Sequence, residues 1–269
     1  MLKVVVIGAA GRMGRFLVAN IMAAPDMELA GAVEIPACPF VGSDAGMLAG
    51  CGEAGVAITT DLAAAVTGAD AVINFSTSGV VEATRIAFAH GCASVIGTTA
   101  LGEEAHKELK TLAGQGARIV YAPNMSVGVN LLFHLCQEVA QILNEDYDVE
   151  IVEMHHNQKK DAPSGTAVRL AEVICEARHL NYDEDVRHGR VGMVGARSRS
   201  EIGMHSLRGG DVVGDHTVVF ATNGERIELT HKASSRETFA KGAIRAVRFL
   251  MNAEAGLYDM QDVLNLRGK

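Results

Sequence analysis

The chain of 269 residues carries 24 Lys and Arg against 32 Asp and Glu, a formal net charge of −8, and 48% of its residues are hydrophobic. This composition is that of a globular protein, and the acidic balance without a block of like charges disfavours nucleic acid as a partner. No run reaches the roughly 20 apolar residues of a membrane-spanning helix, and the five cysteines lack a C-x-x-C pair, which disfavours zinc and a disulfide framework. We therefore expect a cytoplasmic protein that binds neither membrane nor nucleic acid.

Short apolar runs alternate with helical patterns through the first half of the chain. Predicted strands cover residues 4–7, 29–33, 71–75, 94–96 and 119–121, and predicted helices cover residues 12–24, 80–90 and 103–113. Nearly continuous apolar strands separated by helices are typical of a parallel sheet covered on both faces. Residues 1–126 are therefore expected to form a doubly wound, Rossmann-type α/β dinucleotide-binding domain.

The second half of the chain has a different pattern. A helix at 129–143, a half-exposed strand at 148–154 and a helix at 165–178 precede strand-like runs over 192–232. Those runs are broken by Gly209-Gly210 and by Asn223-Gly224, a strong signal for a two-residue hairpin. We expect an α+β substrate-binding domain at 127–235 with a mainly antiparallel open sheet. The helical pattern at 236–250 and a last segment at 262–266 suggest that residues 236–269 complete the first domain.

A glycine-rich turn follows the first predicted strand and opens the first predicted helix. Glycine allows the backbone to approach a pyrophosphate closely, and a helix N-terminus offers free N–H groups to an anion. The spacing is G-x-x-G-x-x-G, which is less specific than G-x-G-x-x-G, so a turn that only packs a helix on a strand remains an alternative. The predicted cofactor-binding residues here are Gly8, Ala9, Ala10, Gly11, Arg12 and Met13.

Glu34 ends the second predicted strand, twenty residues after Gly14. An acidic side chain at that place accepts hydrogen bonds from the adenosine ribose, although a surface glutamate remains the alternative. The next residue, Ile35, offers no charge to neutralise a 2′-phosphate. The sequence therefore favours NADH as the cofactor, with NADPH possible.

Two further loops follow later strands of the predicted parallel sheet, at the carboxyl edge where ligands of such folds bind. Loops of this composition are also frequent as mere connectors, but here they are candidates for the nicotinamide half of the cofactor. Their residues are Gly97, Thr98, Thr99, Ala122, Pro123, Asn124 and Met125.

Residues 153–166 gather proton carriers, cations and a helix start in one segment. Histidine exchanges protons near neutral pH, lysine supplies a charge or a proton, and the first amides of a helix hold a carboxylate. A metal site is disfavoured, because adjacent histidines on an extended chain point to opposite sides; a solvated basic loop is the remaining alternative. The candidate residues are His155, His156, Lys159, Gly165 and Thr166.

Motifs along nearly the whole chain resemble those of one known family. The most specific is E-x-H-H-x-x-K-x-D-A-P-S-G-T at 153–166, and the others lie at 8–14, 97–99, 124–130, 208–216 and 231–236. In this order they resemble the 4-hydroxy-tetrahydrodipicolinate reductase family, also called dihydrodipicolinate reductase, of the diaminopimelate and lysine pathway. The resemblance implies an NADH- or NADPH-dependent reduction of a cyclic, conjugated imine dicarboxylate to tetrahydrodipicolinate.

The resemblance also implies roles for individual residues. His155 would be the general acid/base and Lys159 the proton donor, while His156, Gly165 and Thr166 would hold substrate carboxylates. It further implies a homotetramer assembled through the sheet of the second domain.

The sequence departs from some family members at two places. Ile35 stands where some carry a basic residue, and Asn157 and Gln158 replace bulkier basic residues, which thins the positive field around the substrate. Two other functions remain open: a dinucleotide sensor without enzyme activity, which would have no use for the clustered histidines and lysine, and a dehydrogenase acting on another amino or keto acid.

Overall fold

The apolar runs of the first half form short strands that alternate with helices in the computed structural model, which describes residues 1–99 and 101–267. Residues 268 and 269 of the predicted C-terminal segment lie outside the described residues. In chain order the elements are β1 (Leu2–Ile7), α1 (Arg12–Ala23), β2 (Met27–Val33), α2 (Ala45–Ala49), β3 (Ile58–Thr59), α3 (Leu62–Val66), β4 (Ala71–Asn74), α4 (Val80–Ala89), β5 (Ala93–Ile96), α5 (Glu103–Gly114), β6 (Arg118–Tyr121), α6 (Val127–Leu143), β7 (Asp148–His155), α7 (Gly165–Arg178), α8 (Tyr182–Asp185), β8 (Val186–His188), β9 (Ile202–Arg208), β10 (Gly214–Thr222), β11 (Glu225–Ala233), α9 (Glu237–Leu250), β12 (Gly256–Tyr258) and α10 (Met260–Val263).

The chain divides into two compact units, and the first contains residues 1–127 together with the segment that begins at Arg236. Its sheet has the strand order β12-β6-β5-β4-β1-β2-β3, and every recorded strand pair is parallel. The carboxyl ends of parallel strands lie along one edge of a sheet, and ligands of doubly wound folds bind at that edge where the strand order reverses. Here the reversal lies between β1 and β4.

Helix α9 belongs to the core of the first unit. Ala243 and Val247 are buried in the same apolar cluster as Val4 of β1 and Leu17 of α1. The helix also packs closely on the chain after β6, because a Cβ on Gly242 would lie 1.7 Å from the carbonyl oxygen of Met125. The last part of the chain thus supplies core that the first 127 residues lack.

The second unit, residues 128–235, contains a five-stranded sheet in the order β11-β10-β7-β9-β8. Strand β10 is antiparallel to β7 and β11, whereas β9 is parallel to β7 and β8. The predicted fold class, a Rossmann-type α/β unit followed by an α+β unit, is confirmed. The second sheet is mixed rather than mainly antiparallel, since two of its strand pairs are antiparallel and two are parallel. Strand β9 is parallel to β7 because the chain returns to the sheet through a helical crossover rather than a hairpin.

One face of β7 is buried under helices and the other is partly open. Val149 and Ile151 pack in a cluster with residues of α6 and α7 such as Phe133 and Ile174. The strand alternation that buries these two residues carries Glu153 and His155 to the same face. Among the described residues, none of the helices combines the length and apolar character needed to span a bilayer.

Candidate active site

The glycine-rich turn connects β1 to α1 in the first unit. Gly8 has φ +78°, a conformation that residues with a Cβ rarely adopt, and its N–H donates to Val33 O of the neighbouring strand β2. Gly11 is the N-cap of α1 and no side chain caps the helix. The first amides of α1, those of Arg12 and Met13, therefore have neither a preceding helical turn nor a capping side chain to accept from them. A pyrophosphate fits this requirement.

Gly14 brings α1 onto the turn. A Cβ at this position would lie 2.1 Å from Gly8 O and 2.6 Å from Ala9 O, closer than real Cβ contacts. The absence of a side chain thus sets how near the helix N-terminus comes to the end of β1. This close approach is the role that the third glycine of dinucleotide-binding turns has.

Glu34 reaches the glycine turn from the end of β2. Its Oε1 accepts from the Ala10 N–H at 2.9 Å and its Oε2 from the Ile35 N–H at 3.2 Å. Each carboxylate oxygen retains a lone pair, so the group can still accept hydrogen bonds from a ribose. Sequence reasoning overlooked Arg15, whose Nε donates to Ala10 O and whose guanidinium lies 5.4 Å from the Phe40 ring centroid.

The two later loops lie at the same edge of the sheet as the glycine turn, because β1, β4, β5 and β6 are parallel neighbours. Gly97 follows β5 and Ala122 follows β6, and the Ala122 N–H donates to Ile96 O. Phe75, which sequence reasoning missed, packs on Gly97 so closely that a Cβ there would lie 2.2 Å from its Cζ. Thr98, Ala122 and Met125 are buried, whereas Thr99 and Pro123 are exposed and Asn124 is half-buried.

In the second unit Glu153 is a fully buried carboxylate at the end of β7. Its Oε1 accepts from the Ser164 N–H at 3.1 Å and from Arg208 Nη2 at 2.8 Å. Its Oε2 accepts from Arg208 Nη1 at 2.8 Å and lies 2.6 Å from His155 Nδ1. Burial raises the pKa of Glu153, but hydrogen bonds from His155, Arg208 and Ser206 outweigh it and hold that pKa well below its usual range.

His155 lies between this carboxylate and a second buried histidine. The rings of His155 and His216 meet edge to face with centroids 5.2 Å apart, and His216 Nε2 lies 3.0 Å from Ser164 Oγ. Burial, followed by the nearby charge of His155, lowers the pKa of His216 to about 3. His216 is therefore neutral at physiological pH, while its Nδ1 is buried without a hydrogen-bond partner among the described residues.

Ser164 connects the histidines to the start of α7. Its Oγ accepts from the Ala167 N–H at 3.2 Å and caps the helix. Gly165 and Thr166 are the first two residues of that helix. The helix N-terminus, whose partial positive charge favours anions, thus begins beside Glu153 and His216.

The loop between β7 and α7 folds back on the loop after β9. The His156 N–H donates to Val212 O at 2.8 Å. Lys159 Nζ lies 2.9 Å from Asp161 Oδ2, and Arg208 Nη2 donates to Asp161 O at 2.7 Å. Arg208 therefore joins the loop that carries Lys159 to the carboxylate that contacts His155.

Glu153, Arg208 and His216 received no role from the sequence, although all three lie within the motifs that carry the family resemblance. One signal was available for Glu153, since residues two apart on a strand share a face. Arg208 lies more than 50 residues from Glu153 in the sequence, and His216 lies more than 50 residues from Ser164. These residues come close only because β9 and β10 pair with β7, and the sequence does not reveal that pairing.

These features define a protein with a Rossmann-type dinucleotide-binding fold whose second unit holds a buried carboxylate–histidine pair beside a helix N-terminus. The chain matches two family models, described as dihydrodipicolinate reductase, N-terminus, over residues 2–125, and dihydrodipicolinate reductase, C-terminus, over residues 128–264. It belongs to the dihydrodipicolinate reductase family.

Curated relatives match over almost the full chain. The 4-hydroxy-tetrahydrodipicolinate reductase of Geotalea daltonii is 49% identical over 271 residues, which cover 99% of this chain and 100% of the relative. That of Hahella chejuensis is 48% identical over 268 residues, with the same coverage.

Among solved structures, dipicolinate-bound dihydrodipicolinate reductase from Paenisporosarcina sp. TG-14 superposes with a TM-score of 0.77 at 26% identity, covering 97% of this chain and 98% of its own. The amine dehydrogenase of Mycobacterium smegmatis has a TM-score of 0.61 at 15% identity, covering 100% of this chain and 97% of its own. At that identity the second likeness concerns the fold alone.

Proposed function

We propose that this chain reduces 4-hydroxy-tetrahydrodipicolinate to tetrahydrodipicolinate with a nicotinamide dinucleotide. The observation that carries the proposal is the buried Glu153–His155 pair beside the start of α7, in a chain of the dihydrodipicolinate reductase family. A solved relative with bound dipicolinate supports a dicarboxylate as the ligand class.

Residues of the first unit would hold the dinucleotide. The amides of Arg12 and Met13 would donate to the pyrophosphate, and Glu34 would accept from the ribose. The loops at 97–99 and 122–125 would line the nicotinamide half. When bound, this cofactor supplies the hydride.

The cofactor is expected to be NADH, with NADPH as a weaker alternative. Ile35 is exposed and uncharged beside Glu34, whose carboxylate would repel a 2′-phosphate. Of the two arginines at this turn, Arg12 is the exposed first residue of α1 and Arg15 is stacked over Phe40. The ratio of kcat/KM for the two cofactors tests the preference; a ratio in favour of NADPH would contradict it.

Residues of the second unit would bind and protonate the substrate. The start of α7 at Gly165 and Thr166, together with His156, would hold its carboxylates. When hydride adds to one carbon of the electron-poor double bond, negative charge develops and a proton must quench it. Lys159 Nζ would donate that proton, and His155, with Nε2 as its exchanging atom, would act as general acid/base.

The proposal is tested by following nicotinamide absorbance with freshly made synthase product as substrate. His155→Ala and Lys159→Ala should each lower kcat by about 100-fold or more, the scale of general acid–base catalysis. Lys160→Ala removes an exposed neighbouring cation and serves as the matched control, with kcat expected to stay within about twofold. Normal turnover by both His155→Ala and Lys159→Ala would contradict the catalytic roles proposed for these residues. Absence of turnover by the unchanged chain would contradict the proposed function itself.

Two further features belong to the same proposal. The chain would assemble as a homotetramer through the sheet of the second unit, as the family resemblance implies. It would work in the cytoplasm, a reducing compartment consistent with five cysteines that are all free thiols.

A further inference from the structure

The ionised carboxylate of Glu153 restricts the protonation of His155. A carboxylate in its charged form only accepts hydrogen bonds, and Oε2 lies 2.6 Å from His155 Nδ1. Nδ1 must therefore carry a proton and donate it. The second ring nitrogen, Nε2, is left for proton exchange, and it lies over Gly214, where an added Cβ would be only 3.0 Å away.

The neighbouring histidine does not orient His155 in the same way. His216 meets the His155 ring edge to face, and its Nε2 is engaged with Ser164 Oγ. A neutral His216 that contacts His155 through ring edges imposes packing but no tautomer. The tautomer of His155 thus depends on the carboxylate of β7.

Arg208 holds that carboxylate in place from the neighbouring strand β9. Its two Nη atoms reach the two oxygens of Glu153 at 2.8 Å each, the fork geometry that fixes a carboxylate most firmly. A third bond from Arg208 to Asp161 O ties in the loop that carries Lys159. A single guanidinium therefore connects the surroundings of both proposed proton carriers.

We infer that Glu153, clamped by Arg208, is a positioning residue that holds His155 in the Nδ1–H tautomer and aims its Nε2 for proton exchange. The inference rests on the proposed function for its kinetic consequence, but its structural part can be measured independently of turnover.

Glu153→Gln tests the tautomer directly. Two obligate donors, Ser164 N–H and Arg208 Nη2, converge on Oε1, whereas Oε2 accepts from Arg208 Nη1 and contacts His155. The amide oxygen of glutamine should therefore take the Oε1 place and its NH2 should face His155, while Arg208 Nη1, which can only donate, has to move away from that NH2. Nδ1 then has to accept, and the proton moves to Nε2. Nitrogen NMR shifts of ¹⁵N-histidine, assigned with His155→Ala, should report the exchange of tautomers; an unchanged Nδ1–H signature would overturn the inference.

Kinetics give the second readout. Glu153→Gln should lower kcat by about 100-fold while KM for the dicarboxylate and binding of NADH stay within about twofold. A rise in KM without a fall in kcat would mean that Glu153 serves binding only and would overturn the inference. If the unchanged chain fails to turn over the substrate, the proposed function fails while the NMR result still decides the role of Glu153.

Strand β7 provides a matched control on its opposite face. Glu150 also accepts from an arginine fork, that of Arg190, and lies 2.8 Å from the Nε2 of a histidine, His205. Glu150→Gln should leave kcat and the His155 signals unchanged. If it lowers kcat as much as Glu153→Gln does, the loss comes from disturbing β7 in general and not from the contact with His155, which would overturn the inference. If Glu153→Gln does not fold, Glu153→Asp keeps the charge opposite Arg208, withdraws the carboxylate by one methylene and should still lower kcat.

Discussion

At residue 14 there is no room for even a methyl group. The carbonyl oxygens of Gly8 and Ala9 lie 2.1 and 2.6 Å from the position of an added Cβ, and both belong to backbone that cannot swing away. The turn and the helix must separate to admit a side chain. Stability and dinucleotide binding should therefore change together at this position.

Gly14→Ala is expected to cost about 1–3 kcal/mol of unfolding free energy, the range for overpacking, and to weaken NADH binding measured by fluorescence titration. Gly114→Ala is the control, since Gly114 ends α5 and has no atom within 4 Å of an added Cβ. This control should be neutral or slightly stabilising, because alanine favours helix over glycine. Unchanged NADH affinity in Gly14→Ala would argue against the pyrophosphate assignment.

His216 should make the protein sensitive to mild acid. Its pKa in the folded chain is about 3, below the 6.5 of an unfolded histidine, because burial disfavours its charge. Its contribution to stability is complete above pH 6.5 and is lost as pH falls toward 3, at about 1.4 kcal/mol per pH unit. Urea unfolding at pH 7.5 and 5.0 should show a smaller stability difference in His216→Gln; an identical difference in both chains would contradict the buried neutral state.

At the scale of elements, the N-cap of helix α7, Ser164, both begins the helix and contacts a buried histidine of the candidate site. Ser164 Oγ accepts from Ala167 N–H and also lies at hydrogen-bond distance from His216. The same helix start is proposed to hold substrate carboxylates. Removing the hydroxyl should therefore affect both stability and substrate binding.

Ser164→Ala should lower the unfolding free energy by about 1 kcal/mol or more, as N-cap losses do, and should raise KM for the dicarboxylate. Asp61→Ala is the matched control, because Asp61 caps α3 in the first unit through Ala64 N–H at 3.0 Å. It should lose comparable stability without any change in KM. Equal KM values in the two variants would contradict the proposal that the start of α7 binds the substrate.

The sequence predicts long, strongly patterned elements well and short ones poorly. Helix 165–178 coincides with α7, and the Asn223-Gly224 hairpin is confirmed by the pairing of Thr222 with Glu225. The two-residue β3 and the three-residue β8 and β12 have no periodicity to detect, since strand pairing rather than local pattern defines them. The sequence predicts a strand-like segment from Gly192 to Ile202, but the residues before Ile202 form a loop. Their local pattern resembles a strand, and among the described residues they have no neighbouring strand to pair with.

In the candidate site, too, residues marked by local sequence could be predicted and residues brought together by strand pairing could not. His155 and Lys159 could be selected from residue chemistry and motif, because both lie in one short segment. Their supporting partners could not, because Arg208 and His216 reach the site through the order β10-β7-β9. The family and fold class predicted from the sequence are confirmed; the individual site residues stay predictions until variants are measured.

For the whole molecule, exposed apolar side chains of the second unit are a candidate surface for the proposed homotetramer. Val191, Met193 and Val194 lie in the segment between β8 and β9 with more than half of their surface exposed. Large apolar residues clustered at a surface are typical of protein–protein interfaces. This agrees with the proposed homotetramer.

Met193→Glu should shift the molecular mass measured by light scattering from that of a tetramer toward smaller species, because a buried unpaired charge would oppose assembly. Met47→Glu, at an exposed methionine of α2 in the first unit, is the control and should leave the mass unchanged. A monomeric mass for the unchanged chain would contradict the tetramer outright.

The late position of α9 in the chain has a consequence for synthesis on the ribosome. When residue 127 has emerged, the apolar sides of β1 and α1 still lack Ala243 and Val247, which are translated after the entire second unit. The core of the first unit therefore stays incomplete in the nascent chain, whereas the second unit, which is continuous in sequence, can already fold. A message cut short before α9 would yield a chain whose folded half is attached to an unfinished, aggregation-prone one.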